Sequence, residues 1–129
     1  MERTEQLSVN MANETGQLAS LARVLADAGV NIIAASVHDC TEAGTVRLVA
    51  DDVAGAADAL TAAGMSFVRS PVLLADLPHE VGALAGMARA LADEGINISY
   101  VYGSAGQPGQ PAVIVVSCDD LAAAEAALS

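Results

Sequence analysis

Gly16-Gln17-Leu18-Ala19-Ser20-Leu21-Ala22-Arg23-Val24-Leu25-Ala26-Asp27-Ala28-Gly29-Val30-Asn31-Ile32 returns later in the chain as Gly82-Ala83-Leu84-Ala85-Gly86-Met87-Ala88-Arg89-Ala90-Leu91-Ala92-Asp93-Glu94-Gly95-Ile96-Asn97-Ile98. Eleven of the 17 positions are identical, too many for coincidence, so the chain is an internal duplication. Within each copy, Leu18, Leu21, Ala22, Leu25 and Ala28, and their counterparts Leu84, Met87, Ala88 and Leu91, recur at helical spacing. Gly29 and Gly95 follow where a helix wants a left-handed residue. A second echo confirms the repeat. Asp51–Leu60 matches Asp119–Leu128 at six of ten positions, and a longer hairpin loop around Gln107–Pro111 absorbs the two-residue change in offset.

Outward from the helices, the pattern changes period. Gln6–Met11 alternates Leu7, Val9 and Met11 against polar residues, as a half-buried strand does, and Val72–Leu77 is its counterpart. Strands are expected over Asn31–Asp39 and Thr45–Val49, and again over Asn97–Gly103 and Ala112–Ser117. The aspartate pairs Asp51-Asp52 and Asp119-Asp120 open an Ala-rich second helix in each copy. In the first copy Gly64 ends that helix and Ser66–Arg69 forms a last short strand. The order is βαββαβ, an α+β ferredoxin-like arrangement with the helices on one face of an antiparallel sheet. The expected domains are 1–70 and 71–129, the second lacking its last strand and so exposing an edge at Val72–Leu77 that invites pairing.

Chemistry is expected at the starts of the first helices. The loops read Asn13-Glu14-Thr15-Gly16 and His79-Glu80-Val81-Gly82. A helix start presents unpaired N–H groups that suit a carboxylate. Glycine permits close approach of a ligand, and Glu14 or Glu80 could hold an ammonium group. Asn31 and Asn97 open the next strand, and an Asn amide can both donate and accept. Each feature also has a plain structural role, as helix cap, first-turn acid or loop Asn.

The pattern N-x-x-G before an amphipathic helix, followed by L-A-x-x-L-A-D-x-G-[VI]-N-I within βαββαβ, resembles the ACT domain, in two copies over about residues 6–128. Asn13, Gly16, Gly29, Asn31 and Ile32 carry the resemblance in the first copy. Gly82, Gly95, Asn97 and Ile98 carry it in the second, which departs from the pattern at Pro78-His79. The resemblance implies a non-catalytic regulatory protein that binds a free amino acid at an interface between paired modules. It implies no cofactor and no metal, a homodimer, and a metabolic enzyme or regulator as downstream partner. The alternative is an interaction adaptor that kept the fold without a ligand. The ligand residues implied are Asn13, Glu14, Thr15, Gly16, Asn31 and Ile32, with His79, Glu80, Gly82, Asn97 and Ile98 in the second copy.

Composition narrows the function classes. Sixteen acidic residues against five arginines give a net charge of −11, the wrong sign for nucleic acid or an anionic membrane surface. No apolar run approaches a membrane span, and the opening residues carry no secretory pattern. Cys40 and Cys118 have no partner spacing, so reduced thiols and a cytoplasmic location are expected. His38, Cys40 and Glu42 are metal-ligand types, but too few for a zinc site. The glycine-rich stretch Gly103–Gly109 joins two strands and opens no helix, so it reads as a turn. Tyr100 and Tyr102 share a strand face, with Ile98 expected beside them, as pocket lining or as packing.

Overall fold

A computed structural model of the chain describes residues 2–12, 14–39, 43–104, 107 and 109–129. Its elements are β1 (Glu2–Ala12), α1 (Gln17–Asp27), β2 (Ile32–Asp39), β3 (Ala43–Ala50), α2 (Val53–Ala62), β4 (Phe67–Leu77), α3 (Ala83–Asp93), β5 (Ile98–Ser104), β6 (Ala112–Cys118) and α4 (Leu121–Leu128). They form two compact units, Glu5–Ser70 and Pro71–Ser129 together with Met1–Thr4.

In the first unit the strands run in the order β2-β3-β1-β4, all antiparallel in their described pairings. Alternation along β1 sends Leu7, Val9 and Met11 to one face, where Val46 and Leu48 of β3 join them. Leu21 and Leu25, one turn apart on α1, and Ala56 and Leu60 on α2 complete a single core, so both helices lie on that face. The helical stripe is narrower than its sequence period promises. Leu18 and Leu84 stand at the helix starts and are 50% and 52% exposed, and Ala22 and Ala28 are exposed too. Each helix buries only one i, i+4 pair, Leu21 with Leu25 on α1 and Met87 with Leu91 on α3.

The second unit repeats the plan with order β5-β6-β4-β1 and a core of Leu73, Met87, Leu91, Val116, Leu121 and Ala124. Its share of β1 is Glu2–Thr4, a segment the repeat pattern does not assign to it, and Arg3 Nε lies 3.7 Å from Glu125 Oε2 on α4. The short strand expected at Ser66–Arg69 and the one expected at Val72–Leu77 are one continuous strand, β4. Pro71 does not interrupt it, because proline's fixed φ suits extended chain and biases Ser70 toward the same region.

Both units carry a β-bulge at the same place. The β2–β3 register shifts between Ile32 and Ala34, and the β5–β6 register between Ile98 and Tyr100. An extra residue reverses the facing of everything beyond it. Ile32 and Ile98 therefore pack against the cores, whereas Tyr100 and Tyr102 lie opposite Ser117 and Val115 on the other face. Ile98 does not accompany the tyrosines, whose rings stack with centroids 6.3 Å apart.

Candidate functional site

The two helix-start loops are built alike. Glu14 N–H donates to Ala12 O and Gln17 N–H to Glu14 O, at 2.9 and 3.3 Å. Glu80 N–H to Pro78 O and Ala83 N–H to Glu80 O have the same lengths. The resulting turn ends on Gly16 or Gly82, each at φ 89°, a left-handed conformation that a side chain resists. Nothing lies within 4 Å of where a Cβ would sit on either, so backbone conformation, not crowding, demands glycine.

A glycine N-cap has no side chain to satisfy the first-turn N–H groups, and neither α1 nor α3 has a side-chain cap. The other two helices differ. Asp52 accepts from Gly55 N–H and Asp120 from Ala123 N–H, at 2.9 and 3.0 Å. The chain thus gives α2 and α4 a side-chain cap, whereas at α1 and α3 the N–H of Gln17 or Ala83 turns back to Glu14 O or Glu80 O and the first turn has no side-chain cap. Glu14, Thr15, His79 and Glu80 are all exposed around these turns. Asn13 lies outside the described residues.

Each unit has a cleft beside its uncapped turn. In the first, about 120 Å³ is enclosed by Met11, Val37 and Val46 on the sheet, Gln17 and Leu18 on α1, and Glu14 and His38 at the rim. In the second, about 310 Å³ opens between β4, α3 and the end of α4, lined by Leu77, Pro78, Gly82, Ala83, Met87 and Leu128 among others. Sequence reasoning reached Glu14 and Gly82 but not Leu18, Val37, Asp76 or Met87. Leu18 carried a usable signal, because a large apolar residue in a first helical turn often overhangs its sheet.

Asn31 and Asn97 stand at the other end of their units, past helices that span about 16 Å at 1.5 Å per residue. Neither is gathered with Glu14 and Gly16, or with Glu80 and Gly82, inside its own unit. Both side chains are exposed, and their main chains are anchored. Asn31 N–H donates to Asp51 Oδ1 and Asn97 N–H to Asp119 Oδ1, at 3.0 and 3.2 Å. The side chains of Ile32 and Ile98 are given to the cores.

Other features resolve more simply. His38 Nε2 lies 3.1 Å from Ser36 Oγ and 3.3 Å from Arg47 Nη1, while Cys40, Thr41 and Glu42 fall outside the described residues. Among the described residues no cluster could hold a metal ion. The turn at Gly103–Gly109 is described only in part, without Ala105, Gly106 and Pro108. No helix among the described residues is long and apolar enough to cross a membrane.

Two glycine-started helices without side-chain caps, each beside a cleft, thus recur on duplicated ferredoxin-like units. Residues 2–127 match the model of the ACT domain pair, and the chain belongs to that family. Among solved structures, protein BT0572 from Bacteroides thetaiotaomicron superposes with a TM-score of 0.90 at 26% identity, covering 98% of this chain and 86% of that one. The regulatory subunits of aspartate kinase from Thermus thermophilus and Thermus flavus give TM-scores of 0.70 and 0.66 at 17% and 20% identity. In both cases 98% of this chain and 91% of the other are covered, which shows a shared fold. Comparison with curated proteins yields no match.

Proposed function

We propose that this protein is a non-catalytic sensor of a free amino acid. The observation that carries the reading is the division of the four helix starts, two sealed by Asp52 and Asp120 and two left open behind Gly16 and Gly82. The ligand carboxylate would sit on the open N–H groups, where the helix dipole favours negative charge. Its ammonium group would be met by Glu14 or Glu80, and by Asn31 or Asn97 of a module in a second copy of the chain. A homodimer is therefore part of the proposal. Ligand that prefers one arrangement of modules shifts the population toward it, which is how binding becomes a signal to a partner enzyme or regulator.

A thermal-shift screen against the standard amino acids tests the reading. At 100 times its dissociation constant a ligand adds about 2.7 kcal/mol, about 10 °C in midpoint for a chain of this size. One amino acid, or a related few, should give that shift, and Gly16→Val with Gly82→Val or Asn31→Ala with Asn97→Ala should remove it. The adaptor reading draws on the exposed apolar side chains of Ile33 and Val37 on β2 and Val101 on β5. It gains if a folded protein responds to none of the amino acids.

A further inference from the structure

We propose that the second unit reads the ligand's side chain, and that the ligand is an amino acid with an apolar side chain seated in the cleft between α3 and the end of α4. This rests on the amino-acid reading above and adds to it the ligand class and the unit that selects it.

The two units match in their loops and differ in this cleft. Ala83, Gly86 and Ala90 line it from α3, where α1 has the larger Gln17, Ser20 and Val24 at the repeat-equivalent positions. A Cβ on Gly86 would meet nothing within 4 Å, so the space in front of it is open. The far wall is Ala127 and Leu128, equivalent to Ala59 and Leu60. The equivalent residues of the first unit have near neighbours further along the chain. Met65 donates its N–H to Leu60 O at 2.9 Å, and Met65 and Phe67 both pack against the core.

The lining chemistry agrees. Alternation along β4 turns Leu73, Ala75 and Leu77 toward the helices and the exposed Asp76 to the other face, so Asp76 borders the cleft by its main chain and the remaining lining residues are Ala, Gly, Pro, Leu and Met. A hydroxyl or amide side chain placed there would lose water without gaining a partner. At about 310 Å³ the cleft lies at the small end of ligand pockets and fits a single amino acid.

Isothermal titration of the full chain with L-methionine, L-leucine, L-isoleucine, L-valine, L-threonine, L-lysine and L-aspartate tests this, using Gly86→Leu to fill the cleft and Ser20→Leu as its first-unit counterpart. Circular dichroism and melting midpoint establish that each variant is folded. The expected result is that one or more of the four apolar amino acids bind most tightly, that Gly86→Leu weakens them at least tenfold, and that Ser20→Leu does not. Tightest binding of threonine, lysine or aspartate, or unchanged affinity in Gly86→Leu, overturns the inference and leaves the sensor reading standing. Binding of none of the seven overturns it too, and the full thermal-shift screen then decides whether the sensor reading falls with it.

Discussion

Asp51 holds Asn31 twice. Its carboxylate accepts the Asn31 N–H at 3.0 Å, and its own N–H donates to the Asn31 carbonyl at 3.0 Å. Asp119 and Asn97 repeat the pair at 3.2 and 3.3 Å. The next residue, Asp52 or Asp120, does a different job and caps the helix. Adjacent aspartates that look interchangeable in sequence therefore divide between a strand start and a helix start.

Replacing the cap should be felt as stability. Asp52→Ala or Asp120→Ala is expected to cost about 1 kcal/mol in urea denaturation. Asp51→Ala or Asp119→Ala leaves an exposed N–H that water can satisfy, so it should cost less. The loosened strand start should instead weaken ligand binding, an effect the cap variants should not share.

The glycines offer a contrast of sign. Gly16→Ala and Gly82→Ala must place a side chain at φ 89° with no clash to relieve or worsen, so each should lose about 1 kcal/mol. Gly86 lies inside α3 with open space in front of it, so Gly86→Ala should gain about 0.5–1 kcal/mol. Urea midpoints of the three variants check both directions at once.

Cys118 should be a slow nucleophile. Burial pushes its thiol above the ordinary value of 9.0, with the charges of Asp119 and Asp120 adding and a backbone hydrogen bond from Asp120 opposing. In a Cys40→Ser background, iodoacetamide labelling at pH 7.5 should be much faster after denaturation than before. The linkage has a definite sign. A folded pKa raised above the unfolded one contributes stability that is complete below about pH 9 and is lost as pH climbs through the folded value. Cys118→Ala should therefore flatten the decline in urea stability between pH 8 and pH 10.

Arg69 forks onto Glu5, with Nε to Oε2 at 3.2 Å and Nη2 to Oε1 at 2.8 Å. The hydrogen bond first, and the charge of Glu5 second, hold the guanidinium above its already high range. Both side chains are more than two-fifths exposed, so salt should reach the pair. A double-mutant cycle of Glu5→Gln and Arg69→Gln should show favourable coupling in low salt that nearly vanishes in 1 M NaCl.

Much of the architecture was open to inspection in the repeat. Two copies of one helix, each followed by glycine and Asn, leave little freedom in fold class, and the ACT resemblance followed from the same residues. What stayed hidden was short-range and geometric. A bulge between Ile98 and Tyr100 adds no unusual residue type, yet it separates Ile98 from the tyrosines. Pro71 looks like a strand end and is not one, because only the pairing partners determine whether a missing N–H matters. At the site, Glu14 and Gly82 could be reached from local pattern. Ala127, Leu128 and the space before Gly86 could not, because the cleft forms from β4, α3 and α4 together.

The membership of β1 and β4 bears on how the chain can be made. Met1–Thr4 belongs with the unit that otherwise begins at Pro71, while Phe67–Ser70 opens β4 inside the unit that begins at Glu5. No single cut in the polypeptide yields both halves entire. The residue pair Arg3 and Glu125 brackets almost everything between, and contacts of such wide sequence separation form late because the intervening loop must close first. During synthesis the first unit can fold as it emerges. The second must wait for its own helices and keep an already translated segment free to join them.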